Sequence, residues 1–145
     1  MKRLAILLLL CLVSVAFATD RTSRIFTGIG TSLVTTYNAT TDTVTTDGYL
    51  CSKYDRINVY VSASALVSTG IVAVEMQYSA DGTNYFPLYI LDQADAGFTK
   101  VAGTISAIGD YYFSFPTAGK YFRVMIRYVS GTSVTIDAIT IEGKS

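Results

Sequence analysis

Apolar and polar residues alternate with a period of two through much of the chain after residue 56. Ile57, Val59, Val61 and Ala63 fall on one face, with Asn58, Tyr60, Ser62 and Ser64 on the other, the pattern of a strand buried on one side. Val72, Val74, Met76 and Tyr78 oppose Ile71, Ala73, Glu75 and Gln77 in the same way. Ser79-Ala80-Asp81-Gly82-Thr83-Asn84 then supplies hairpin chemistry, with Gly82 suited to positive φ. Tyr85 to Leu91 reads as a returning strand, at an edge or a bulge because Pro87 cannot donate to a ladder. Residues 92–97 read as a loop, 98–101 as a short strand and 103–109 as a turn-rich connection. Tyr111 to Phe115 is a further strand, closed by Pro116-Thr117-Ala118-Gly119. Phe122, Val124, Ile126 and Tyr128 alternate with Tyr121, Arg123, Met125, Arg127 and Val129, and a last strand runs from Ser133 to Glu142 after Ser130-Gly131-Thr132.

Residues 20–47 are dominated by threonine, which favours extended backbone. One reading makes this segment the first strands of the domain. Another makes it an extended arm that completes a neighbour's sheet by strand addition. No segment beyond residue 18 has a helical period, so the chain is expected to be all-β, an antiparallel two-sheet β-sandwich of jelly-roll type or, alternatively, immunoglobulin-like.

The N-terminus changes where the protein is expected to work. Lys2 and Arg3, the apolar run Leu4 to Val13, and Ala16-Phe17-Ala18 have the three-part form of a secretory signal peptide. The apolar run is too short to span a bilayer, which needs roughly 20 residues. The organisation expected is a signal peptide over 1–18, a Thr-rich arm or first strands over 19–48 and a β-sandwich over 49–145, in a protein that is secreted or held in the periplasm or at the cell surface. Cleavage leaves 127 of the 145 residues and removes Cys11, so Cys51 becomes the single cysteine. It is either an inert buried thiol or an intermolecular bridge.

Composition narrows the chemistry. The chain has eleven basic and eleven acidic residues and no histidine, which removes the imidazole base, histidine metal ligands and Ser-His or Cys-His dyads. A balanced charge gives no polybasic surface for nucleic acid. Glu75, Glu142, Asp55, Asp110 and Asp137 show no pairing in sequence of the kind glycoside hydrolysis needs, and no enzymatic activity is expected. No cofactor is expected either. Calcium is the one ion for which ligands are at hand, in Asp81 and Asn84 with Asp92 and Asp95 nearby, although a hairpin turn accounts for the same residues. Eleven tyrosines offer flat faces for sugars; Tyr85, Tyr111 and Tyr112, with Asp81 and Asn84, are the candidate ligand residues, and Tyr89 and Tyr121 lie at similar places. Arg123 and Arg127 are expected to form cross-strand ion pairs with Glu75. Asn38-Ala39-Thr40 fits a glycosylation sequon.

Val72-Ala73-Val74-Glu75-Met76-Gln77-Tyr78-Ser79-Ala80-Asp81-Gly82-Thr83-Asn84-Tyr85, followed by Gly119-Lys120-Tyr121-Phe122-Arg123-Val124, resembles a pattern of small jelly-roll modules in phage structural and fibre proteins and secreted bacterial proteins. These are similar in architecture to discoidin-like and carbohydrate-binding sandwiches. The resemblance spans about Tyr54 to Gly143 and implies a two-sheet sandwich. The leading expectation is a structural or adhesive subunit that self-associates, as a homo-oligomer or an extracellular filament. The alternative is a monomer that binds a glycan or a cell surface.

Overall fold

A computed structural model describes residues 24–26, 33–67, 69–92, 97–100 and 102–145. The leader and Asp95 lie outside them. The described residues form strands and turns with no helix, and none is therefore long and apolar enough to cross a membrane as one. The strands are β1 (Arg24–Phe26), β2 (Thr36–Tyr37), β3 (Thr43–Thr45), β4 (Tyr49–Leu50), β5 (Arg56–Val67), β6 (Ile71–Ser79) and β7 (Phe86–Pro87). They continue as β8 (Tyr89–Asp92), β9 (Gly97–Lys100), β10 (Ala102–Ile105), β11 (Gly109–Pro116), β12 (Tyr121–Ser130) and β13 (Ser133–Lys144).

Two antiparallel sheets pack face to face. One has the order β1-β13-β5-β11, with β2 also on β13; the other has the order β10-β6-β12-β3, with β4 on β12 and β7 on β6; β8 and β9 form a separate ribbon. The core is where the alternation places it. Ile57, Val59, Val61 and Phe115 face Val72, Val74, Met76, Phe122, Val124 and Ile126, all buried. Burying one face of each sheet against the other is what makes the two-layer arrangement stable.

The β-sandwich expectation holds, and two local expectations are corrected. Residues 102–105 are a strand, paired with β6 from Ala102↔Glu75 to Ile105↔Val72, where the glycines suggested a turn. Gly103 is required by packing: a Cβ there would lie 2.3 Å from the Phe113 ring of the opposite sheet. The expected strand from Tyr85 to Leu91 is broken in two, because β7 pairs with β6 at Gln77↔Pro87 while β8 leaves to pair with β9. Pro87 stands in a two-residue edge strand, where its missing donor does no harm. Gly82 has φ of 78°, as the hairpin required.

The Thr-rich segment supplies three short strands that pair within the sandwich itself. β1 and β2 pair with β13, β3 pairs with β12, and Phe26, Leu33 and Tyr37 are buried in the core. Tyr37 donates its hydroxyl to the Leu33 carbonyl at 3.0 Å, and burial raises its pKa. The Phe26 ring meets Phe122 edge-on at 5.2 Å. Truncation of Leu33 to Ala is therefore expected to cost ~2–5 kcal/mol in denaturant unfolding, as at other filled core sites. A change under about 0.5 kcal/mol, typical of a surface position, would contradict this placement.

Candidate functional site

The five tyrosine-loop candidates do not come together. Asp81 is consumed by its own turn. Its Oδ1 accepts from Ser79 Oγ at 2.8 Å, Thr83 N at 2.8 Å and Asn84 N at 2.9 Å, and its Oδ2 accepts from Asn84 Nδ2 at 2.8 Å. These donors, the backbone amides first, hold the carboxyl well below the usual carboxylate range. The turn thus accounts for Asp81 and Asn84 without a calcium ion, and no group of three or more acidic or cysteine side chains is clustered for metal among the described residues. Tyr85 is half-buried against Arg123, on the side of β12 that faces away from the core: the Arg123 Cζ lies 4.4 Å from its ring centroid, and a Cβ on Gly48 would sit 1.6 Å from its hydroxyl. Tyr111 turns towards the core side and exchanges hydrogen bonds with the Ala107 backbone.

The cysteine and the arginines have structural surroundings. Cys51 is fully buried and donates to the Gly119 carbonyl at 3.3 Å, and desolvation raises its pKa, which favours the inert-thiol reading over an intermolecular bridge. Asn38 is exposed, in the turn between β2 and β3 that Asp42 closes. Arg127 pairs with Glu75 at 3.1 Å, as expected, whereas Arg123 donates instead to Gln77 Oε1 at 2.6 Å. Ala73, Glu75, Gln77 and Met125 are buried although they face away from the inter-sheet core. The outer side of the six-stranded sheet is closed along its centre.

The outer side of the five-stranded sheet is open and ordered in rows. β5 lies between β11 and β13, and the two registers place Ser114, Asn58 and Glu142 in one row, Tyr112, Tyr60 and Thr140 in the next, and Asp110, Ser62 and Ala138 in a third. Tyr112 and Tyr60 are 57% and 41% exposed, and their rings stand 5.1 Å apart at 44°. A hydrogen-bonded chain holds them from beneath. Tyr112 Oη and Ser114 Oγ donate to Asn58 Oδ1 at 3.1 and 2.8 Å, Tyr60 Oη donates to Glu142 Oε2 at 3.2 Å, and Arg56 Nε donates to Ser114 Oγ at 2.7 Å. Asn58 is only 2% exposed, so these bonds answer the cost of burying its amide. Desolvation and then Glu142 raise the Tyr60 pKa. Beyond the rings lies a groove of about 320 Å³, with small side chains at Ser62, Ala138 and Thr140 and Asp110 at its rim.

Tyr112 was legible as a candidate and Tyr60 was not singled out. Its signal was present: a large aromatic at an outward position between Asn58 and Ser62.

No family model and no curated protein matches the sequence. Among solved structures, the chain is similar to SPBc2 prophage-derived protein YomS, at 17% identity over 87% of this chain and 94% of that one, with a TM-score of 0.43. It is also similar to PirA, at 10% identity over 88% and 99% with a TM-score of 0.38. A third is CBM28, described as a non-crystalline cellulose specific carbohydrate-binding module, at 8% identity over 86% and 72% with a TM-score of 0.38. The fold defines the protein as an antiparallel two-sheet β-sandwich.

Two measurements check these local assignments. Asp81 has a depressed folded pKa, so its contribution to stability is present above the unfolded value of about 3.9 and is lost as pH falls through and below it. Asp81→Ala is expected to lose less stability than the wild type between about pH 5 and pH 2; equal losses would contradict the turn's role. Cys51 is expected to resist a thiol reagent until the protein is unfolded, and prompt labelling of native protein would contradict its burial.

Proposed function

We propose that the protein is an exported, non-enzymatic module that binds a neutral glycan of a cell surface or extracellular polymer on the outer face of its five-stranded sheet. The observation that carries this reading is the adjacent, exposed pair Tyr60 and Tyr112 beside the groove of Ser62, Asp110 and Thr140. Sugar rings present C–H faces to aromatic rings and hydroxyls to carboxylates, amides and alcohols, and both kinds of partner occur here within one face. The Asp110 carboxylate at the rim favours a neutral sugar over an anionic one.

A binding role is supported over hydrolysis by the spacing of acids. Asp110 and Glu142 are separated by two strand spacings, across β5, and by four residues along the strand, roughly 16 Å from sheet spacings. Paired glycosidase carboxylates stand roughly 5–9.5 Å apart. Export rests on the leader. Self-association, the leading expectation from the sequence, keeps one supporting observation in the edge of β11; the described edge strands β1, β3 and β10 are three or four residues long, too short to template a long ladder.

On an array of neutral polysaccharides the protein is expected to give a defined set of ligands. Tyr112→Ala and Tyr60→Ala should each weaken binding by about tenfold, or ~1.4 kcal/mol, while Tyr85→Phe should leave it unchanged. Equal loss in all three, or no ligand on the array, would contradict the assignment.

A further inference from the structure

The edge of β11 is open at one end and closed at the other. The bond from Thr117 N to Asp55 O at 3.0 Å fixes the phase of the β11–β5 ladder, because hydrogen-bonded pairs alternate along antiparallel strands. Residues 109, 111, 113 and 115 therefore turn their backbone groups to β5, and Asp110, Tyr112, Ser114 and Pro116 turn theirs outward. Pro116 has no N–H, and its carbonyl accepts from Tyr78 Oη at 2.5 Å. The Ser114 carbonyl accepts once, from Arg56 Nη2 at 3.1 Å. Among the described residues, Asp110 and Tyr112 keep both outward groups, and Ser114 keeps its N–H and the second lone pair of its carbonyl. Among the described residues β11 has no second neighbour.

We propose that two copies of the chain pair through β11, antiparallel and about a two-fold axis at Tyr112. In this register Tyr112 meets Tyr112 of the second copy, and Asp110 and Ser114 meet each other twice. It uses every open N–H of the edge and forms six backbone hydrogen bonds, counted from the antiparallel pattern. Shifting the axis to residue 111 forms four, and shifting it to residue 113 sets Asp110 against the donorless Pro116. Charge selects the same register. Asp110 makes no ion pair among the described residues and is exposed, and across the axis it faces the Ser114 that carries the Arg56 guanidinium. The inward-facing rings of Tyr111 and Phe113 are only half-buried along this edge, and the second copy would cover them. An isologous contact of this kind closes as a dimer instead of growing as a filament.

The pairing joins two five-stranded sheets into one and sets Tyr60, Tyr112 and their two counterparts in a single row, so the partner copy extends the aromatic face. It stands on the edge geometry and does not depend on the glycan reading.

Light scattering on the full chain, expressed with its own leader and run over a concentration series, is expected to give twice the single-chain mass. Asp110→Arg and Arg56→Asp should each halve that mass by opposing like charges, and the double variant D110R/R56D should restore it. Tyr112→Pro should also halve it; the N–H it removes points away from β5, so folding, checked by circular dichroism, should survive. A single-chain mass at every concentration would overturn the proposal, as would a dimer unchanged by Asp110→Arg and Tyr112→Pro.

Discussion

Ile57, Val59 and Val61 reach the core only in the register that β5 adopts between β11 and β13. Side chains alternate strictly, so a slip of one residue would turn these three outward and drive Asn58, Tyr60 and Ser62 inside. Much of the rest follows from this one constraint. The same register that buries the aliphatic row stands Tyr60 beside Tyr112 and Asn58 between Ser114 and Glu142. Core and candidate site are two faces of a single strand, and the core's larger energy holds the site's geometry in place.

Two irregularities let that strand keep its partners along its whole length. Pairing with β13 shifts register between Thr135 and Ile136 and again between Ile136 and Ala138. The second shift leaves Asp137 as an extra residue, so Ile136 and Ile139 can both turn to the core while Ala138, Thr140 and Glu142 turn out. The sandwich then closes tightly where β10 lies over β11, since Gly103 leaves room for Phe113.

Strands β5, β6 and β12 were legible because each keeps an unbroken period of two over eight or more residues. β10 was not, because Gly103 belongs to a contact with Phe113 that no local signal announces. The phase of β13 was hidden for a similar reason: its alternation changes at Asp137, and only the pairing with β5 shows it. At the site, Tyr112 could be named from its position, but its neighbours could not. Tyr60, Asn58 and Glu142 come from strands up to about eighty residues apart, and periodicity assigns a face without assigning a neighbour. The turn motif that makes Asp81 a candidate is spent on the turn itself, and Tyr85 beside it is taken up by Arg123.

Buried Asn58 shows why the outer face differs from an ordinary solvated one. Four side chains converge on or beside its amide, fixing ring positions before any ligand arrives, and such preorganisation lowers the ordering cost of binding. The most direct test is ring-labelled tyrosine NMR during titration with a neutral polysaccharide panel. The account predicts ligand-dependent shifts concentrated at Tyr60 and Tyr112, with Tyr37, Tyr78 and Tyr85 unmoved. Shifts concentrated at Tyr85, or none with any polysaccharide, would contradict it.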